Sequence, residues 1–223
     1  MPKCLVKIDK KSIIDHNLNF LRKFKKINIV VGYKYKKILR KFKNQKFNFI
    51  RNHNYKKTNM VESTFLSNPK LKKIVICYGD ILFDHKIFKL IKNNNGNFIL
   101  VKKNWLEIWK KRMSYKKIFN DAENIVVNKK NQLISIGGKI NKLPNYQYMG
   151  IICLTNSTFK KLKKYFKTLD KKIDFTSFIN SSIQNKISTF KVIKTSKFWT
   201  EIDNNKDVIA ANMIMKNINK KLL

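Results

Sequence analysis

The 223-residue sequence predicts an α/β fold with a mixed, mostly parallel central sheet flanked by helices, and three observations predict it. Short β-like apolar runs alternate with amphipathic helical stretches from residue 4 to residue 102. The strongest run, Ile74-Val75-Ile76-Cys77, leads straight into Tyr78-Gly79-Asp80. No Pro- or Gly-rich linker and no internal repeat divides the chain, so one continuous domain is expected over 1–223.

Taken in order, Cys4–Ile8 reads as a strand or extended segment, and Ser12 caps a helix carrying Ile13, Ile14, Leu18, Phe20 and Leu21. Ile27–Val31 is a buried strand ending at Gly32, a helix covers Tyr35–Phe42, and Lys46–Arg51 is a further strand. Val61–Leu66 reads as helical, Lys73–Tyr78 as a strand, His85–Lys92 as a helix and Asn97–Lys102 as a strand. In the second half, Asn124–Val127 and Gln132–Ile136 form a hairpin, and Tyr148–Leu154 is a strand. Helices are expected at Thr158–Phe166, Phe175–Gln184 and Lys206–Ile218, with strands at Thr189–Ile193 and Phe198–Ile202.

Composition excludes several classes. Hydrophobic residues make up 43% of the chain, enough for a substantial core. Cys4, Cys77 and Cys153 are far apart, odd in number and set in apolar runs, which reads as reduced core thiols rather than a disulfide framework or zinc site. No window is long and apolar enough for a signal peptide or a membrane span, so a soluble cytoplasmic protein is expected. The net charge of +37 comes from lysines spread over nearly every segment, with arginine only at positions 22, 40, 51 and 112. Together with abundant Asn and Ile, this is the signature of adenine- and thymine-rich codons. A nucleic-acid binder would concentrate its basic residues and lean on arginine, so no specific nucleic-acid partner is expected. The charge nevertheless draws anionic substrates.

Two constellations carry chemistry. Asp80 closes the strongest strand, at the carboxyl end where α/β sheets gather ligands, and follows a glycine that allows close backbone approach; it suits a Mg²⁺ bound to phosphates. By spacing alone it serves equally well as a turn or capping residue. In Trp199-Thr200-Glu201-Ile202-Asp203, the two acids project to one side of a strand. Read alone they are a solvated pair; joined to Asp80 they make a carboxylate clamp for one Mg²⁺.

These segments resemble, in order, the motifs of the sugar-phosphate nucleotidyltransferases, and of their phosphocholine cytidylyltransferase-like branch in particular. Pro2-Lys3-Cys4-Leu5-Val6-Lys7-Ile8 with Lys11–His16 is similar to a "PK-x-L-x-x-I-x-x-K-x-I-I" stretch, and Asn52–Asn59 with Ser63 to "N-x-x-Y-x-x-T-N-x-x-x-S". Tyr78-Gly79-Asp80 matches the metal-binding "GD", and Trp199–Asp203 the late "W-x-E-x-D". Trp105, Trp109, Arg112, Asp121-Ala122-Glu123, Ile136-Gly137, Gln147–Gly150 and Asp174–Thr176 fall between them in the expected order.

The resemblance implies a Rossmann-like nucleotidyltransferase fold, with residues 1–104 binding nucleotide and 105–223 binding acceptor and completing the metal site. It implies Mg²⁺ on Asp80, Glu201 and Asp203, and Lys3 as the catalytic ammonium on the NTP phosphates. Asn59, Ser63, Tyr78 and Gly79 would form the nucleotide pocket, and Gln147, Tyr148 and Asp174 the acceptor pocket. Trp105 and Trp109 would cover the acceptor or, at helical spacing, simply pack. The reaction implied is transfer of CMP from CTP to phosphocholine, a phosphonate or a sugar phosphate, with release of pyrophosphate. The family's first strand and its G-x-G-x-R phosphate loop precede the Pro-Lys pair and are missing from this sequence. A truncated, inactive relative is therefore the alternative expectation, and a basic nucleic-acid-binding protein a second.

Overall fold

The computed structural model describes residues 1–43, 45 and 47–220, with 217–220 described by backbone alone. A 3-10 turn at Lys3–Leu5 leads into the two-residue strands β1 (Lys7–Ile8) and β2 (Lys11–Ser12), which pair antiparallel. The expected strand or extended segment at Cys4–Ile8 is thus a turn in its first part and a strand only at Lys7–Ile8. Pro2 fixes φ at the turn's start and its carbonyl accepts from Leu5 N–H at 3.0 Å, which curls the apolar run before it can extend.

Helix α1 (Ile13–Leu21) starts on a full capping box. Ser12 Oγ accepts from the Asp15 N–H, and Asp15 Oδ2 accepts from the Ser12 N–H at 3.1 Å. Then follow β3 (Asn28–Val31), α2 (Tyr35–Lys41), β4 (Asn48–Arg51), α3 (Met60–Leu66) and β5 (Lys73–Cys77). Lys46, the first residue of the expected strand Lys46–Arg51, lies outside the described residues. Next come β6 (Ile81–Phe83), α4 (Ile87–Asn93), β7 (Phe98–Lys102), α5 (Trp105–Trp109), α6 (Tyr115–Asp121) and the hairpin of β8 (Ile125–Val127) and β9 (Leu133–Ile136). The chain continues through β10 (Gln147–Thr155), α7 (Asn156–Phe166), α8 (Phe175–Gln184), β11 (Lys191–Thr195), β12 (Trp199–Glu201) and α9 (Asn205–Lys220).

The central sheet has the order β11-β7-β10-β5. β11 lies parallel to β7, while β10 runs antiparallel to both β7 and β5. Three of the four strands therefore point the same way, as the sequence predicts, and β10 is inserted against them. Its residues Gln147–Leu154 are all buried, as expected of a strand covered on both faces.

Period-two alternation sorts the apolar side chains into two layers. Ile99, Val101, Ile152 and Leu154 pack with Phe65, Phe159, Phe166 and Phe178 of α3, α7 and α8. Phe98, Leu100, Ile151 and Cys153 pack on the other face with Phe20, Phe83, Ile87 and Trp199. Burial pushes all three thiols up, Cys4 to about 11 and Cys77 and Cys153 to about 12, so they behave as packing groups.

Two further ladders frame the sheet. β12 pairs antiparallel with β6, bringing Glu201 opposite Ile81, the residue after Asp80. β3 pairs parallel with β4. Among the described residues β3 and β5 are not paired to each other. Their edges face a cleft of about 830 Å³ walled by Phe20, Ile29, Val30, Val75, Cys77 and Phe88.

Candidate active site

The site forms where β5 and β12 end. Beyond β5 the chain turns through Tyr78 and Gly79 to Asp80, whose carbonyl accepts from Ile202 N–H at 3.0 Å and so ties this turn to the segment after β12. Tyr78 is anchored by its own N–H to the Gly150 carbonyl, at 3.0 Å. Gly150 has a φ of +70°, and a Cβ placed there would sit 2.7 Å from the Tyr78 ring. The bare backbone of β10 at this point is what lets the Tyr78 turn lie down on the sheet.

Lys3 reaches across this corner. Its Nζ lies 2.8 Å from Asp203 Oδ1 and 3.4 Å from Asp80 Oδ2, so carboxylates 123 positions apart share one ammonium. Asp80 and Asp203, expected to converge from sequence, do so. Glu201 stands beside them, its Oε2 4.0 Å from Arg112 Nη1. Burial pushes the Glu201 carboxyl up to about 8; Arg112 opposes the rise, while Asp203, Asp80 and Glu123 add to it.

Among the described residues no three His, Cys, Asp or Glu groups are already gathered in ligating geometry. The site instead carries a cation of its own, the Lys3 ammonium, between the two aspartates. Among the described residues Asp80, Glu201, Asp203 and the nearby Asp207 face only Lys3 and Arg112, a surplus of two negative charges when all are ionised. Hard carboxylate oxygens are the donor type that Mg²⁺ takes.

The residues expected at the nucleotide part divide. Ser63, Tyr78 and Gly79 line the 830 Å³ cleft together. Asn59 is instead spent on the backbone: its Oδ1 accepts from Met60 N–H at 2.7 Å, and its Nδ2 donates to the Lys172 carbonyl at 3.2 Å. The residue that organises this segment is Asn52, which sequence reasoning placed in the motif without a role. It is buried, its Nδ2 donates to Thr58 Oγ1 at 3.1 Å and to Ser63 Oγ at 3.0 Å, and its Oδ1 accepts from Asn54 N–H.

On the acceptor side a second pocket of about 250 Å³ opens beside the acids. Gln147, Asp121, Glu123, Glu201, Asp203, Trp109, Arg112 and Met113 line it. At ~30 Å³ per water it holds about eight waters, room for a small polar group. Four of the chain's thirteen acids are concentrated here. Tyr148 is buried behind the pocket with its ring edge-on to Tyr78, centroids 5.9 Å apart. Asp174 caps α8, accepting from Ser177 N–H at 2.8 Å. It also meets Thr176 Oγ1 at 2.9 Å, the same oxygen that lies 2.6 Å from Glu123 Oε1. That hydroxyl has one hydrogen and donates to one carboxylate at a time.

Asp121 and Glu123, to which sequence reasoning gives no role, thus stand at the pocket wall. Trp105 is a packing residue, its Nε1 donating to the Pro144 carbonyl at 3.0 Å, whereas Trp109 reaches the pocket.

Arg112 and Asp207 carry no role in the sequence reading, although Arg112 falls within the motif order. The acids that Arg112 meets lie about ninety positions away, so no local pattern reveals its role. Arg112 Nε donates to Asp207 Oδ1 at 2.9 Å with both side chains out of solvent.

No protein-family model matches the chain. A curated relative, the CTP:phosphoglutamine cytidylyltransferase of Campylobacter jejuni, is 29% identical over 227 residues, spanning 91% of this chain and 87% of that protein. Among solved structures, the inositol-1-phosphate CTP transferase from T. maritima superposes with a TM-score of 0.72 at 21% identity, covering 97% of this chain and 88% of its own. The CTP:phosphocholine cytidylyltransferase from Streptococcus pneumoniae superposes with a TM-score of 0.76 at 16% identity, covering 96% and 90%. Over almost its whole length, then, the chain has the fold of the sugar-phosphate nucleotidyltransferases and is related in sequence to a cytidylyltransferase among them.

Proposed function

We propose that the chain transfers CMP from CTP to a phosphorylated small molecule and releases pyrophosphate. The observation that carries this reading is the meeting of Lys3, Asp80 and Asp203 at the carboxyl end of β5. In this reading an acceptor phosphate oxygen attacks the α-phosphorus in line as the bond to pyrophosphate breaks. That oxygen is already ionised at neutral pH, so no general base is needed, and the work is positioning and charge stabilisation. Asp80 and Asp203, with Glu201, would hold a Mg²⁺ that draws charge from the phosphates. Lys3 supplies an ammonium to the same phosphates, Ser63 and the Tyr78-Gly79 turn border the nucleotide, and Gln147, Asp121 and Glu123 border the acceptor.

The acceptor follows from the relatives only as a class: their named substrates are phosphoglutamine, inositol 1-phosphate and phosphocholine. The acidic 250 Å³ pocket supports a small acceptor that carries a cationic or hydrogen-bond-donating end.

A second reading, an inactive relative, is favoured by the cleft between β3 and β5. Its two unpaired strand edges and apolar walls are those of a slot for one more strand, where the resemblance expects the strand that leads into the phosphate loop. One assay separates the two readings. Pyrophosphate release from CTP is measured with phosphoglutamine, phosphocholine and a sugar 1-phosphate. It is run on the chain as it stands and on a version extended before Met1 by an apolar strand and a G-x-G-x-R loop. Turnover by the chain as it stands, lost in D203N, removes the inactive reading, whereas turnover by the extended version alone supports it. Silence from both versions with every acceptor abandons catalysis at this corner.

A further inference from the structure

We propose that Arg112, locked in place by Asp207, is the positioning residue that aims the carboxylates of Glu201 and Asp203 at the divalent cation; the inference rests on the reading above that this corner holds one. Arg112 lies in the connection between α5 and α6 and its side chain is only 1% exposed. Its three nitrogens go to three different acids. Nε donates to Asp207 Oδ1 at 2.9 Å, Nη2 to Asp203 Oδ2 at 3.4 Å, and Nη1 stands 4.0 Å from Glu201 Oε2 with no closer partner among the described residues. The guanidinium also lies over the Trp109 ring, 5.6 Å from its centroid.

A purely structural ion pair needs only the first of these contacts. Asp207 is fully buried, and besides Arg112 it accepts from the backbone N–H groups of Asp203 at 2.8 Å and Asn204 at 3.0 Å. That carboxylate therefore fixes the turn between β12 and α9, and Arg112 neutralises it. The two remaining arms have no part in holding the turn. They point at the side chains that line the pocket, and Asp203 is half exposed, held besides, among the described residues, only by the flexible Lys3 ammonium. Asp203 divides its oxygens, Oδ1 to Lys3 and Oδ2 to Arg112, so the fork sets the plane in which the carboxylate faces Asp80. Lysine could match the charge of Asp207 but not the three directions.

The test is Mn²⁺ affinity of the full chain, followed by the loss of free-ion EPR signal, for the parent, R112K, D207N and D203N, with melting temperature and circular dichroism read alongside. Outer partners of metal ligands typically contribute ~10–100-fold to affinity. R112K is expected to weaken Mn²⁺ binding about tenfold or more while keeping the parent's spectrum and melting within a few degrees. D207N, which keeps the shape and loses the anchoring charge, is expected to weaken binding in the same direction. Should R112K fail to fold, D207N carries the comparison. Folded R112K or D207N binding Mn²⁺ as tightly as the parent overturns the positioning role and leaves the metal reading standing. A parent that binds no Mn²⁺, or one whose affinity D203N leaves unchanged, overturns both.

Discussion

At the corner of Asp80 and Asp203 each acid has a counter-charge within 4.0 Å, and one of its two cations is almost fully buried. Alongside β5, in the cleft shared with β3, the walls are strand edges and aromatic rings facing about 830 Å³ of space. The first region is finished before any ligand arrives, because its groups come from four separated parts of the chain and fix one another. The second has the materials of a core and, among the described residues, no strand pairing β3 with β5. Charge geometry in this fold therefore depends on tertiary ties such as Arg112–Asp207, while the cleft depends on backbone pairing. The two can be broken separately.

The largest effect is expected at the finished corner. D80N or D203N should lower turnover by at least about a hundredfold, because even outer partners of metal ligands are worth ~10–100-fold. Chelation should silence the parent reversibly. Melting should shift little, since Asp80 and Asp203 are partly exposed and their bonds to Lys3 are of the weak surface kind. A steady-state assay beside a melting curve checks all three. The extended version with its added strand should melt several degrees higher, from about 2 kcal/mol left after ordering costs. An unchanged melt would mean that the cleft does not take a strand.

Between the two regions sits Gly150. G150V should cost about 1–3 kcal/mol from overpacking against Tyr78, with further strain from the positive φ, and denaturant midpoints would register it. The smallest effect is expected at the cap of α8, where D174A should cost about 1 kcal/mol. Burial alone would raise the Asp174 carboxyl, but bonds from Ser177 and Thr176 hold it below the usual carboxylate range. Its contribution is therefore present above the unfolded value of about 3.9 and is lost as pH falls through the lower folded value. The parent and D174A stability curves should converge in acid.

Much of this was legible beforehand because it is local. The Ser12 cap of α1, the Phe175–Gln184 helix and the strand leading into Tyr78-Gly79-Asp80 are written in consecutive residues, and they appear as expected. Strand β11 is displaced from the expected Thr189–Ile193 to Lys191–Thr195, because its limits are set by parallel register with β7. β6 escaped notice since three apolar residues after a turn signal nothing until β12, far along the chain, pairs with them. The acids at the corner were legible through motif order. The arginine that aims them was not, because its role exists only in three dimensions.

The seating of Lys3 between two aspartates has a consequence for how the corner is loaded. With a resident ammonium already there, the pair of like charges never has to stand alone, so folding does not wait on ion supply. Were a divalent ion admitted, as proposed above, it would exchange for one flexible side chain, released as two new charges came in. The amine set free would then stand where the proposed reaction puts the phosphates, ready to answer their charge.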